Sequence, residues 1–211
     1  KPLLLRAHGS KRDVWKSGKD KGMKLVDATC PLVHEIHREV KKLSEEGRQI
    51  FVIGDHRHDE VVAIADQVPD SIVLANLNEA KALKKFKKAG VVSQSTQTIE
   101  NVQGIINILM EKVFDLHFVN TICYPTKRNQ EQIKELAKES DIMIIIGSFT
   151  SANSKRLTSL SKTLNKNTYQ VTISKDIDPK WFDDCESVGI SAGASTPDYL
   201  IKEVKDRIMS F

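Results

Sequence analysis

At 211 residues, with 40% hydrophobic but only 6% aromatic side chains, the chain is long enough for one or two compact domains with aliphatic, β/α-type cores. A net charge of +4 and a sequence pI near 8.9 are too mild to argue for nucleic acid. No apolar run approaches the roughly 20 residues that cross a bilayer, Lys1-Pro2-Leu3-Leu4-Leu5 is too short for a signal peptide, and three cysteines do not read as a secreted disulfide scaffold. A soluble protein with no membrane or nucleic-acid partner is expected.

In chain order, Leu3 to Arg6 reads as a short buried strand and Ser10 as the cap of a polar helix running to about Gly22. His8 lies at the strand's carboxyl end, the edge at which open β/α sheets bind ligands, and reads either as a ligand group or as a structural histidine. Lys24 to Thr29 is a second strand, giving way at Cys30 to a helix that opens on Pro31. A thiol there meets free backbone N–H groups and the helix dipole, which favour the thiolate. Leu32, Val33, Ile36, Val40 and Leu43 follow at helical spacing, Gly47 is a C-cap, and His34 and His37 are expected to point away from the cysteine end.

The strand Gln49 to Ile53 ends at Gly54 and leads into the densest polar cluster, Asp55-His56-Arg57-His58-Asp59-Glu60. These residue types suit a metal, proton donation or a phosphate. The plainer alternative is acids matched to a helix dipole. His58 and Glu60 fall at the same sheet edge as Cys30. Asn78 to Lys88 reads as a lysine-rich helix, either a solvated face or a docking patch for an electron donor. Val91 to Thr96 is a strand closing in hydroxyls, and Ile99 to Lys112 is an amphipathic helix.

Asn120-Thr121-Ile122-Cys123-Tyr124-Pro125 repeats the pattern of a cysteine followed by proline at a polar helix, and two such cysteines invite a shared metal. After Asp141 to Ile146 and Gly147, the residues Ser148 to Ser154 place hydroxyl and amide groups on a helix start, a phosphate-sized anion cup. Gly193-Ala194-Ser195-Thr196-Pro197 repeats that logic, while Cys185 precedes a strand and reads as structural.

Gly54 follows Cys30 by 24 positions and Gly147 follows Cys123 by 24, and each half closes on a strand running into small hydroxyl residues. The expected fold class is α/β with pseudo-repeated β/α domains, two complete copies plus the end of a first, and a ligand site at the carboxyl ends of strands where the domains meet. The corresponding divisions are residues 1–23, 24–116, 117–195 and a C-terminal helix over 196–211.

Ala7-His8-Gly9, Asp27-Ala28-Thr29-Cys30-Pro31-Leu32-Val33, Gly54 to Val61, Asn120 to Cys123, Ser151-Ala152-Asn153-Ser154 and Gly193 to Pro197 together closely resemble the 4-hydroxy-3-methylbut-2-enyl diphosphate reductase (LytB/IspH) family, in order and over almost the whole chain. The resemblance implies reductive removal of an allylic hydroxyl as water, giving isopentenyl and dimethylallyl diphosphates. It also implies an oxygen-sensitive [4Fe–4S] cluster with three cysteine ligands, a donor such as ferredoxin or flavodoxin, and a cytoplasmic location, or a plastid or apicoplast stroma in a eukaryote. Position by position, Cys30 and Cys123 match two cluster ligands. Glu60 matches the proton-delivering acid, and Ser95 stands where the family usually has a threonine. His8, His58, Ser151, Asn153 and Ser195 match the diphosphate-binding set, with Ala152 replacing a hydroxyl.

The family's first cysteine, in a Gly-Phe-Cys-x-Gly-Val segment, and a further histidine have no match, in keeping with the partial first copy. The 211-residue chain is therefore expected not to complete the three-cysteine site by itself. Two readings from other classes stand beside this one: a cluster-free phosphate-ester-binding enzyme, and a zinc-binding structural module built on Cys30, Cys123 and nearby histidines.

Overall fold

The computed structural model describes residues 1–211, an α/β chain in which every strand pairing is parallel. Two compact units divide it, Lys1–Cys123 and Tyr124–Phe211.

The first unit holds two sheets. β1 (Pro2–Leu5) and β2 (Lys24–Asp27) pair with Leu5 opposite Asp27, joined by α1 (Arg12–Asp20). The larger sheet runs β4-β3-β5-β6, from β3 (Gln49–Ile53), β4 (Ile72–Leu74), β5 (Phe86–Ser93) and β6 (Val113–Phe118). Parallel strands with helical crossovers are covered on both faces, so they read as unbroken apolar runs. Phe51 and Ile53 enter one core with Leu74, Val91 and residues of α4 (Leu77–Ala82) and α5 (Ile99–Lys112). Ile50 and Val52 enter the other with Val40 and Leu43 of α2 (Pro31–Glu45) and Val61 and Ile64 of α3 (Asp59–Ala65). Gly90 is a required close approach: a Cβ there would stand 2.8 Å from Leu43 Cβ, so α2 lies directly on β5.

In the second unit β7 (Ile142–Ile146) is central, flanked by β8 (Thr168–Val171) and β9 (Val188–Ala192). Ile142, Ile144 and Ile146 pack with Val171 and with Val204 of α8 (Asp198–Ile208). Met143 and Ile145 pack with Ile133 and Ala137 of α6 (Tyr124–Glu139) and Leu157 of α7 (Ala152–Leu164). Cys185 packs at the margin of the first of these cores, its thiol donating to the Ser187 carbonyl at 3.3 Å.

The lysine-rich stretch is not one helix. α4 ends at Ala82, and β5 begins at Phe86, whose ring meets Phe51 edge-on at 5.2 Å; burial against that ring outweighs the helical preference of the lysines. Ser10 does not cap α1. The cap residue is Lys11, without a side-chain bond, and the Arg12 N–H is met by the distant Asp66 carboxylate at 2.6 Å. The strand through Val91 stops at Ser93, and β6, an edge strand with weak alternation, lies outside the strands expected from the sequence.

The expected divisions at 23/24 and 116/117 fall between the paired strands β1 and β2 and inside β6. The repeat is offset by one strand. Each cysteine lies where the last strand of one sheet gives way to the helix that packs on the next: β2 to α2 at Cys30, β6 to α6 at Cys123.

Candidate functional site

In the first unit a continuous series of contacts joins both cysteines to the acid. The Cys30 N–H donates to the Ala7 carbonyl at 2.9 Å, extending the β1–β2 pairing to the residue before His8. The His8 ring meets that of His58 edge-on, with centroids 5.2 Å apart. His58 is the N-cap of α3, and its Nδ1 accepts the Glu60 N–H at 3.2 Å. Glu60, only 1% exposed, accepts the Ser95 N–H at Oε1 (2.6 Å) and the Ser95 hydroxyl at Oε2 (2.9 Å). The Ser95 carbonyl in turn accepts the Cys123 N–H at 2.9 Å.

The fold makes this series by register. β3 and β5 pair with Ile53 opposite Ser93, so the loops leaving both strands emerge together and carry Glu60 and Ser95 to the same carboxyl edge. Arg6, just past β1, binds the Asp59 carboxylate at 2.7 Å and ties the start of α3 to the loop bearing His8. Asp59 is thus more than a dipole-matching acid.

The cap settles the tautomer of His58. An Nδ1 that accepts from a backbone N–H carries no proton, so in the neutral ring the proton sits on Nε2, which is a donor. Glu60 accepts one bond at each oxygen and keeps a second lone pair on each. A buried carboxylate with matched donors and an imidazole neighbour is suited to moving a proton.

Three contributors were not apparent from the sequence. Gln94, fully buried, accepts the Asp55 N–H at 3.2 Å and ties the loop after β3 to the loop after β5. The Thr121 hydroxyl accepts the Ser93 N–H and donates to the Ser93 carbonyl, both at 2.7 Å, holding the approach to Cys123 against the end of β5. A threonine two residues before a cysteine was the available signal. The third is His37. His34 and His37 do not both face away from the cysteine end: His34 Nε2 lies 2.9 Å from Asp27, and His37 is buried beneath Gly9, where a Cβ would meet its Cε1 at 3.0 Å. Burial, together with the charges of His34 and Lys41, pushes the His37 pKa down to about 4, and its Nε2 has no hydrogen-bond partner.

In the second unit Ser151 is the N-cap of α7, its hydroxyl accepting the Ser154 N–H at 3.3 Å, with Asn153 in the first turn. The loop after β9 carries exposed Ser195 and is fastened by the Thr196 hydroxyl to the Ile146 carbonyl at 3.0 Å. Ser154, buried, stands against Gly147 and Gly193, so no side chain fits at either strand end. Ser151, Asn153 and Ser195 therefore share the carboxyl edge of the second unit's sheet.

The two thiols match thiolate ligation in their setting: neither is in a disulfide, both are half-buried, and both stand at helix starts. No group of three His, Cys, Asp or Glu side chains is gathered for a metal ion of any kind. Of the lysines in the 78–88 stretch, Lys87 and Lys88 lie at the start of β5, roughly 15–20 Å along the strand from Ser93, and the Lys88 ammonium binds the Glu46 carbonyl.

Residues 1–209 match the family model described as LytB protein. The chain is 38% identical over 210 residues to the 4-hydroxy-3-methylbut-2-enyl diphosphate reductase of Aquifex aeolicus, covering 98% of this chain and 73% of the relative. It is 40% identical over 209 residues to that of Campylobacter hominis, covering 99% and 76%. A solved structure of (E)-4-hydroxy-3-methyl-but-2-enyl diphosphate reductase, the terminal enzyme of the non-mevalonate pathway, aligns with a TM-score of 0.65 at 37% identity, over 100% of this chain and 76% of that one. The E-1-hydroxy-2-methyl-but-2-enyl-4-diphosphate reductase of Plasmodium falciparum aligns with a TM-score of 0.92 at 26% identity, over 97% and 66%. The chain thus spans about three quarters of the length of the curated relatives it matches. With the match running from the first strand into the last helix, the chain belongs to the LytB family.

Proposed function

We propose that the chain is a 4-hydroxy-3-methylbut-2-enyl diphosphate reductase, an oxidoreductase that removes the substrate's allylic hydroxyl as water and yields isopentenyl and dimethylallyl diphosphates. The balance is one C–O bond broken, one C–H bond formed, and two electrons and two protons taken up. Family membership supports the reaction; the observation that carries it to named residues is the contact series from Cys30 through His58, Glu60 and Ser95 to Cys123.

Cys30 and Cys123 are proposed as thiolate ligands of a [4Fe–4S] cluster. Such a cluster supplies electrons one at a time and a Lewis-acidic iron toward an alcohol oxygen. Glu60 holds and delivers a proton to the reacting end of the substrate, and Ser95 fixes the direction of both carboxylate oxygens. His58, with its proton on Nε2, and His8 donate to diphosphate oxygens. In the second unit, Ser151, Asn153 and Ser195 take the same role, hydroxyl and amide donors beside a 13-residue helix whose dipole favours an anion. The electrons come from a small redox protein such as a ferredoxin or flavodoxin. A cytoplasmic location accords with three cysteines that form no disulfide and with bacterial relatives. No helix is long and apolar enough to cross a membrane.

The test is anaerobic turnover of 4-hydroxy-3-methylbut-2-enyl diphosphate, with a chemical reductant, by the protein expressed from its complete gene. Formation of the two diphosphate products, lost in Glu60→Gln, is the expected result. Product formation that Glu60→Gln leaves unchanged, or none from the parent protein, would overturn the assignment.

A further inference from the structure

Cys30 and Cys123 are approached through the same turn. Three residues before Cys30, Asp27 Oδ1 accepts the Thr29 N–H at 3.0 Å; three residues before Cys123, Asn120 Oδ1 accepts the Ile122 N–H at 3.3 Å. In such a turn the side chain replaces a backbone carbonyl and fixes the two residues that follow it. Directly beyond each turn the cysteine's own N–H is held at 2.9 Å by a carbonyl of a neighbouring segment, Ala7 for Cys30 and Ser95 for Cys123. The backbone on the amino side of each thiol is therefore pinned twice, by a side chain three residues upstream and by a neighbouring carbonyl. Only the first of these pins depends on residue type.

Asp27 carries a second contact that Asn120 has no means to copy. Its Oδ2 lies 2.9 Å from His34 Nε2, one helical turn past Cys30, so one carboxylate links the turn before the cysteine to the helix after it. Aspartate where an imidazole is within reach and asparagine at the other site fit this difference. A plain loop would need neither, since glycine or serine turns the chain as well.

We propose that Asp27 and Asn120 are positioning residues that set the direction of the Cys30 and Cys123 thiols toward the cofactor. The proposal rests on reading the two cysteines as cluster ligands. Loss of the Asx bond frees only the backbone beside its own cysteine, because the two turns lie in different loops of the first unit.

Rates of iodoacetamide modification of Cys30 and Cys123, read separately by mass spectrometry on the metal-free protein, test it without reference to activity. Asp27→Ala is expected to change the Cys30 rate about fivefold, the population change one ordinary hydrogen bond controls, and to leave Cys123 as it was. Asn120→Ala is expected to do the reverse. The isosteres Asp27→Asn and Asn120→Asp keep the accepting oxygen: Asn120→Asp is expected to restore the parent rate, and Asp27→Asn, which gives up the His34 contact, to lie closer to the parent than to Asp27→Ala, and both keep the test valid should an alanine variant unfold. Unchanged rates in both alanine variants, both cysteines shifting together, or isosteres that behave as the alanines do would overturn the proposal. Iron content of Cys30→Ser and Cys123→Ser after anaerobic reconstitution tests the ligand reading separately. If iron is retained there, that reading fails while the modification rates still decide the positioning.

Discussion

Both carboxylate oxygens of Glu60 are held by one residue, Ser95, whose N–H donates to Oε1 at 2.6 Å and whose hydroxyl donates to Oε2 at 2.9 Å. The backbone half of this pair survives mutation and the hydroxyl half does not. Ser95→Ala is therefore expected to lower kcat by about tenfold, the order of one hydrogen bond to a charged group. Glu60→Gln removes the proton itself and is expected to lower kcat by about 10²–10⁴-fold. Ser95→Thr, which keeps the hydroxyl, should stay within about twofold of the parent. Steady-state kinetics of the three variants checks the order; equal losses in Ser95→Ala and Glu60→Gln would contradict it.

His58 has two separable duties, capping α3 through Nδ1 and offering a donor at Nε2. Asparagine caps well and has no equivalent of Nε2. His58→Asn is expected to hold thermal stability within about 0.5 kcal/mol while raising KM by about tenfold or more, the loss of one donor to a phosphate oxygen. A fall in stability with KM unchanged would show that only the cap matters.

At the strand ends of the second unit, Ser154 leaves no room beside Gly147 or Gly193. Gly147→Ala and Gly193→Ala each force a methyl group onto a buried serine in a packed helix, and each is expected to cost about 1–3 kcal/mol. Ser151→Ala removes a helix cap and is expected to cost about 1 kcal/mol. Denaturant unfolding measures all three, and neutral glycine variants would contradict the packing described.

His37 sets a pH dependence whose sign is fixed by its burial. Its pKa is pushed down to about 4 in the folded chain from an ordinary 6.5, so below pH 6.5 the unfolded chain takes up the proton first and stability falls as pH falls from 6.5 to 4. Between pH 7 and pH 5 the loss is about 2 kcal/mol. Asp27, where burial is outweighed by hydrogen bonds from Thr29 and by His34, is held below its ordinary value and adds loss only at lower pH. Unfolding free energies of the parent and His37→Gln at pH 7 and pH 5 check this, the variant being expected to lose that difference.

Much of this architecture is written locally. Gln49 to Ile53 and Ile142 to Ile146 are short apolar runs closed by glycine, and the pairing of cysteine with proline marks two helix starts; such signals need no partner to be read. Both cysteines and the polar cluster holding His58 and Glu60 are legible for the same reason, whereas the roles of Glu60 and Ser95 come only from the family resemblance. The Glu60–Ser95 pair is legible only through strand register, which brings together positions 35 residues apart. β6 escaped because an edge strand need not alternate, and the offset of the repeat escaped because β2 chooses β1 rather than the larger sheet as its partner. Helical spacing has His37 pointing away from the cysteine end, and its burial against the Gly9 turn comes from a segment distant in sequence.

The most direct measurement is iron and sulfide bound per chain after anaerobic reconstitution of the protein expressed from its complete gene, in the parent and in Cys30→Ser, Cys123→Ser and Cys185→Ser. The account predicts that Cys30→Ser and Cys123→Ser each lose the bound cluster while Cys185→Ser, packed beside the second unit's core, keeps it. Retention of the cluster in either of the first two variants, or its loss in Cys185→Ser alone, would contradict it.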